Sequence, residues 1–420
     1  MALAPQRATP TEIASGRSVP ALRLAVFGLF FLFGGITSLN DVLIPKLKGL
    51  FSLNHSEAML IQSAFFGAYF LISFPAGMMV RRIGYLRAAV VGLGLMAAGC
   101  LLFVPAAATG AFMPFLGALF IVAAGITVVQ VVANPLISAL GPPALASSRL
   151  TFAQAFNSVG TTIMPWIGAV LILGPAASQA LSSPAEEGAV VGHAYVGLAI
   201  VLLIVAATVW VGRNSYDGGR AAPGRLRDAL SLLAIPRFAF GTGCIFLYVG
   251  AEVTIGSLLA TFLMQPHVLA LDPESAGKHI AYYWGGALVG RFVGAFALQR
   301  LRPGLCLSAV AIGAIVLIAI AGAATGHVAA WALIAIGLMN AIQFPTIFTL
   351  ASEGLGDRTA EASGIICMAI VGGAVVPLLT GAVADQVGLS LSLAVPALCY
   401  AAICLFGLYA QRPAPSRGPA

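Results

Sequence analysis

Apolar stretches of about 20 residues, long enough to cross a bilayer as a helix, recur from one end of this chain to the other. In lipid no water is present to satisfy backbone N–H and C=O groups, so only helices and closed barrels can span. The stretches are too long and too uniformly apolar for barrel strands, which leaves helices. Composition agrees: 60% of the 420 residues are hydrophobic and 8% charged, against about 25% charged in a soluble domain. That surplus of apolar side chains exceeds what one water-soluble core can hide. The 48 glycines fit the same picture, because small residues let membrane helices approach closely.

Twelve spans are expected, at residues 22–46, 57–81, 86–108, 111–139, 149–174, 192–212, 236–264, 276–300, 304–325, 327–352, 360–385 and 388–410. The polar, Pro/Ser/Thr-rich residues 1–21 read as a disordered cytoplasmic tail, and 411–420 as a second. The longest internal polar stretch, 213–235, reads as a cytoplasmic linker between an N-terminal six-helix half (22–212) and a C-terminal one (236–410). Arginine placement sets the orientation. With the N-terminus inside, Arg81, Arg82 and Arg87, the arginines of the central linker, Arg300, Arg302, Arg412 and Arg417 all face the cytoplasm, while the three lysines fall outside. Of 18 arginines only Arg291 lies in a span away from the inner ends. This is a positive-inside pattern. It assigns the net charge of +7 to the anionic inner leaflet and not to nucleic acid.

The halves repeat. "NPLISALG" with "SSRLTFAQAFNSVGTTIMP" is echoed about 210 residues later by "FPTIFTLASEGLGDRTAEASGIICMAIVGGAVVP", and "PAGMMVRRIG" by "VGAFALQRLRPG". Two similarly oriented six-helix halves are the pattern of transporters that rock around a central site. Other chemistries find no support. The six cysteines form no CxxC pair and read as buried small hydrophobes. The five histidines have no metal-ligand spacing, and neither a Walker loop nor a nucleophile triad is present. No cofactor, no metal and no enzymatic activity are expected.

Ionisable groups inside a span are costly and so are functional candidates by default. Asp41 in span 1 and Glu252 in span 7 lie roughly 28 and 24 Å from the inner ends of their helices at the helical rise, in equivalent places of the two halves. Either carboxylate could exchange a proton. Asp41 could instead be a hydrated helix end near Pro45 and Lys46, and Glu252 a sugar acceptor or a structural hydrogen bond. Arg291 in span 8 could be an ion pair, a carbonyl tether or part of the cavity, and Arg81 and Arg82 are structural or gating candidates. Amides recur in pairs on one helix face: Gln130 and Asn134 before Pro135, Gln154 and Asn157, and Asn340 and Gln343 before Pro345. Groups that both donate and accept suit a polyhydroxylated ligand, and Asn40 beside Asp41 joins them. Trp166, Trp284, Tyr248, Tyr282 and Tyr283 could supply stacking faces.

The strings "LNDVLIPKL", "LIQSAFFGAYFLISFPAGMMVRRIGY", "ANPLISALGP", "FAQAFNSVGT", "YVGAEVTIGSLL", "GRFVGA" and "IQFPTIFTL" together resemble the fucose/glucose/galactose permease group of the major facilitator superfamily, over nearly all of 22–410. The resemblance implies the major facilitator fold, a bacterial inner-membrane location and sugar:cation symport, mostly proton-driven. It maps a membrane carboxylate of the fucose permeases onto Asp41. It maps a second onto Gln130, which cannot take a proton. "YVGAEVTIGS", with Glu252, resembles the glucose/galactose branch, and N-acetylglucosamine transporters are similar to that branch too. The expected function is import of a glucose- or galactose-like hexose with a proton by alternating access. Sodium coupling, N-acetylglucosamine or fucose uptake, or export on the same scaffold are the alternatives. The expected partners are a sugar, a coupling cation and the lipid bilayer, with the protein a monomer whose termini are both cytoplasmic.

Overall fold

The structure, a computed structural model, describes residues 18–50, 55–109, 111–168, 184–214 and 230–411. Each of the twelve expected spans falls on helix where it is described, and residues 169–174 of the fifth lie outside the described residues. The first six are α1 (Ser18–Leu50), α2 (His55–Ile83), α3 (Tyr85–Thr109), α4 (Phe112–Ala139), α5 (Ala146–Gly168) and α6 (Pro184–Val211). The second six are α7 (Pro236–Leu263), α8 (Pro273–Ala297), α9 (Pro303–Ala323), α10, α11 and α12. The last three are interrupted: α10a (Gly326–Asn340) and α10b (Gln343–Ser352), α11a (Thr359–Met368) and α11b (Gly372–Val387), then Leu389–Ser392 and α12 proper (Ala394–Tyr409). α1 is described from Ser18; residues 1–17 of the expected N-terminal tail, most of the linker and the C-terminal tail from 412 lie outside the described residues.

Ten of these helices are long and apolar enough to cross a membrane on the described residues alone. The other two, α5 and α8, carry Arg149, Gln154, Asn157, Lys278, His279 and Arg291, and they pack against each other. Large apolar side chains cover the outer surface, among them Leu24, Phe70, Ile204, Val211, Leu378 and Leu398. Such a surface would be anomalous in water and is what lipid tails require. The protein is a multi-span membrane protein.

Packing repeats between the halves. α1 lies on α5 and α2 on α4, while α3 touches α4 and α6; likewise α7 lies on α11b and α8 on α10a, while α9 touches α10a and α12. Across the halves α2 meets α11a and α5 meets α8. These contacts converge at one end of the bundle, the end where Arg81, Arg237 and Arg358 lie. There Arg81 pairs with Glu361, a carboxylate 1% exposed that also accepts from Arg358 at 3.3 Å. Ser147 and Thr349 hydroxyls are 2.6 Å apart, Ser148 Oγ donates to the Ala295 carbonyl at 2.6 Å, and Ser363 Oγ to the Val131 carbonyl at 2.8 Å. The backbones touch as well: a Cβ on Gly364 would sit 2.7 Å from the Ser73 carbonyl oxygen, so only glycine allows this approach.

The last carbonyls of a helix lack intrahelical partners, and here arginines supply them. Arg23 of α1 donates to Leu140 at 2.7 Å, and Arg149 of α5 to Pro142 at 2.8 Å and to Ser138. In the other half Arg237 of α7 donates to Leu350 at 2.7 Å and to Ala410 at 3.3 Å, and pairs with Glu353.

Candidate functional site

Above the contact zone a cavity of about 200 Å³ opens between the halves. From the N-terminal half it receives Phe33, Gly34 and Thr37 of α1, Phe65, Phe66 and Tyr69 of α2, Gln130 of α4, and Gln154, Asn157 and Thr161 of α5. From the C-terminal half come Tyr248, Val249 and Glu252 of α7, Arg291 of α8, Phe344 of α10b and Ile370.

Close helix packing brings the amides to the wall. A Cβ on Gly160 would lie 2.2 Å from the Phe31 carbonyl oxygen, and one on Gly34 would lie 2.3 Å from Asn157 Nδ2. Without side chains at these two positions, α1 and α5 draw together. Asn157 then donates to the Phe30 carbonyl at 3.3 Å, which leaves its oxygen uncommitted. Gln130 accepts the Tyr69 hydroxyl at 2.7 Å, which fixes the amide and leaves its NH₂ to donate. Opposite, Glu252 Oε1 accepts the Tyr248 hydroxyl at 2.7 Å, while the Tyr283 hydroxyl donates to the Glu252 backbone carbonyl at 3.1 Å. Arg291 reaches across the floor to α5, donating to Ser158 Oγ and, at 3.2 Å, to the Gln154 carbonyl. It is both a carbonyl tether and a cavity residue.

Gln130, Gln154, Asn157, Glu252 and Arg291 therefore share one cavity. Three amides of the sequence reading do not reach it. Asn134, one turn beyond Gln130, is fully buried. Asn340 is consumed by its neighbours: its Oδ1 accepts Tyr400 at 2.7 Å and Gln343 at 3.2 Å, and its Nδ2 donates to Tyr283 at 2.8 Å. Gln343 is held in that network and by the Met339 carbonyl. Asn134, Asn340 and Gln343, expected to bind substrate, do not line this cavity in this conformation.

Of the aromatic candidates, Tyr248 lines the cavity and Tyr283 is buried behind it; Trp166, Tyr282 and Trp284 are exposed and do not line it. Asn40 and Asp41 follow Thr37 within about one turn along α1, but their side chains lie outside the described residues. Arg81 joins the halves through Glu361, and Arg82 is exposed beside it. Tyr69, Ser158, Glu361 and the phenylalanine walls were not anticipated. Tyr69 shares a face with Phe65 and Phe66, a signal indistinguishable from packing. Glu361 sits just after "GLGDRT", which reads as a loop. Among the described residues no group of His, Cys, Asp or Glu could hold a metal ion.

A membrane bundle of two alike halves, closed against each other at one end and enclosing a small polar cavity between them, is the architecture of an alternating-access transporter. The comparisons agree. The Major Facilitator Superfamily model matches residues 26–370, and the chain belongs to that family. Within it, the chain belongs with the fucose, glucose and galactose permeases. It is 46% identical over 405 residues to the glucose/galactose transporter of Brucella abortus biovar 1 (strain 9-941), covering 96% of this chain and 97% of the relative. It is 33% identical over 430 residues to the L-fucose-proton symporter of Escherichia coli K12, covering 97% of each. Among solved structures, the crystal structure of the transporter FucP in the outward conformation superposes with a TM-score of 0.83 at 32% identity, covering 94% of this chain and 99% of that one. The proton:xylose symporter XylE, at 13% identity and TM-score 0.71 over 93% and 95% of the chains, shares the fold.

Proposed function

We propose that this protein is a secondary active importer of a glucose- or galactose-like hexose, driven by protons and working by alternating access, with no enzymatic activity. The observation that carries this reading is the convergence of Gln130, Gln154, Asn157 and Glu252 on one aromatic-walled cavity between the halves. Amides and a carboxylate that present both donors and acceptors match sugar hydroxyls, and phenylalanine rings match the apolar face of a pyranose. The named activities of the glucose/galactose and fucose relatives support it.

In this reading Asp41 takes up the coupling proton and Asn40 joins the amides that hold the sugar. Glu252 is either a direct acceptor for sugar hydroxyls or a second titratable group. The units 22–212 and 236–410 rock about the cavity, joined by the linker 213–235. The contact zone of Arg81, Glu361 and the α5–α8 face lies on the cytoplasmic side and separates when the sugar is released inward. The protein sits in a bacterial inner membrane as a monomer, both termini cytoplasmic, its basic end against anionic headgroups.

Uptake of labelled glucose and galactose into proteoliposomes, with and without an imposed pH or sodium gradient, tests this. Accumulation driven by an inward proton gradient is expected. Accumulation driven only by sodium would reassign the coupling ion. Uptake of N-acetylglucosamine or fucose but neither hexose would reassign the substrate, and sugar extrusion would overturn import.

A further inference from the structure

Between the cavity and the ion pairs of the basic end lies a layer of polar side chains with too few partners. Asn134 of α4, Thr151 of α5, Thr346 of α10b and Cys367 of α11a are all fully buried. Each stands roughly 8–12 Å of helix rise from the basic end of its helix. The four helices thus contribute one group apiece at similar height. Thr151 Oγ1, Thr346 Oγ1 and Asn134 Oδ1 have no hydrogen-bond partner among the described residues. The Nδ2 of Asn134 has nothing better beside it than the Cys367 thiol, a weak acceptor. One turn nearer the cavity on α4 and α5, Gln130 and Gln154 line its wall. One turn the other way the seam is bonded: Ser147 of α5 meets Thr349 of α10b at 2.6 Å, and Ser363 of α11a donates to the Val131 carbonyl of α4 at 2.8 Å. The layer is therefore a gap in an otherwise satisfied seam, and it adjoins the cavity. An unpaired buried polar group costs free energy, and valine, isosteric with threonine, would close the same seam without that cost.

From this placement we infer that Asn134, Thr151 and Thr346 form a second sugar-binding station, covered while the basic end is closed and used when the hexose leaves the cavity through that end. Hydroxyls and an amide both donate and accept, which is the chemistry of a neutral, polyhydroxylated ligand. The four side chains of the layer are uncharged, so an ion would find no counter-charge among them, and an apolar ligand would leave the same atoms unpaired. Successive polar positions on α4 and α5 are one helical turn apart, about 5 Å. A ring with hydroxyls around its rim can therefore pass from Gln130 and Gln154 to Asn134 and Thr151 without losing all its partners at once. Water alone could fill the same places, but water does not discriminate between sugars, and the test turns on that difference.

The inference rests on reading the cavity as a hexose transport site. Right-side-out and inside-out membrane vesicles present glucose, galactose and their monodeoxy analogues to one face at a time, with no gradient imposed, and the half-saturation of uptake is read for each sugar. If the wild type transports none of them in either orientation, the transport reading falls and the station with it. If it does transport them, the remaining outcomes bear on the station alone. The double variant Thr151→Val with Thr346→Val should raise the half-saturation at the face of the basic end about tenfold, as expected for the loss of two modest hydrogen bonds to a neutral ligand. The value at the opposite face should move far less. Losses on sugar and protein should also fail to add, as they do for groups in contact. At least one monodeoxy analogue that half-saturates several-fold higher than its parent sugar in the wild type should match that parent in the double variant. Thr151→Ser with Thr346→Ser keeps both hydroxyls and should keep the wild-type pattern. An unchanged half-saturation at the basic-end face overturns the station. So does a rise by one common factor for every sugar, which is what a mere shift toward the closed conformation would give. An identical ranking of the analogues at the two faces of the wild type overturns it too, with no variant needed.

Discussion

The two walls of the cavity are built from similar sequence and do different things. In the N-terminal wall, Gln130, Gln154 and Asn157 each keep a polar group directed at the cavity, and among the described residues the wall has no charge. In the C-terminal wall the corresponding amides, Asn340 and Gln343, are bound up with Tyr283 and Tyr400 behind the surface, and the cavity meets Glu252 and Arg291 instead. Backbone geometry separates the cases. α4 runs unbroken through Pro135, whereas α10 breaks at Ala341 and Ile342, ahead of Pro345, which turns Asn340 toward the tyrosines. Pseudo-symmetry thus repeats the scaffold and not the chemistry: one wall presents amides, the other a carboxylate and a guanidinium.

Asp41 is the sharpest challenge to that division, because it is a carboxylate on the N-terminal side. Asp41→Asn should abolish uphill accumulation while sugar exchange down its own gradient continues, since a neutral amide cannot carry the proton but keeps the cavity's shape. Undiminished accumulation in this variant would place all charge handling in the C-terminal wall. Next in size is Asn340→Ala. It strands the buried hydroxyl of Tyr400, at about 1–3 kcal/mol for an unsatisfied group, and takes one of two partners from the Tyr283 hydroxyl. The expected result is a lower unfolding temperature in detergent with sugar affinity little changed in the folded fraction. A stable variant with weakened binding would put Asn340 back in the ligand wall.

Gln154→Ala and Asn157→Ala should do the opposite. Each loses about 0.5–1.5 kcal/mol of hydrogen bonding to a neutral ligand, so equilibrium binding should weaken up to about tenfold with the fold intact. If both bind as tightly as wild type, α5 does not recognise the sugar. The smallest effect belongs to the exposed aromatics that do not line the cavity. Trp166→Ala should leave the transport Km unchanged, and a change there would mean that the exposed ring turns inward during the cycle.

The helices were legible because lipid imposes a single rule on every residue of a span, and apolar length reports it directly. α5 and α8 depart from that rule, and their polar residues Asn157 and Arg291 meet the facing helices α1 and α5. The site was legible in part. Spacing places Gln130 and Asn134, or Asn340 and Gln343, on one helical face, but it does not say whether that face meets a void or a neighbour's hydroxyl. Tyr283 and Tyr400 lie 57 and 60 residues from Asn340 in sequence, and nothing local to "MNAIQFPTI" announces them. Glu361 escaped for the same reason, since its principal partner, Arg81, is 280 residues away.

The arginines that satisfy helix ends also set a timetable. Arg23 meets its carbonyl on Leu140 after 117 residues of chain, while Arg237 waits 173 residues for Ala410. At ordinary elongation rates the second interval lasts roughly 9–35 s. For that time the guanidinium at the start of α7 lacks one of the acceptors that let it be buried. The first half can complete its seal while the ribosome is still at work. The second can do so only when the final helix has been delivered, so a chain truncated within that helix keeps Leu350 and Glu353 on Arg237 but lacks the Ala410 carbonyl, and its second half stays one bond short of a finished seal.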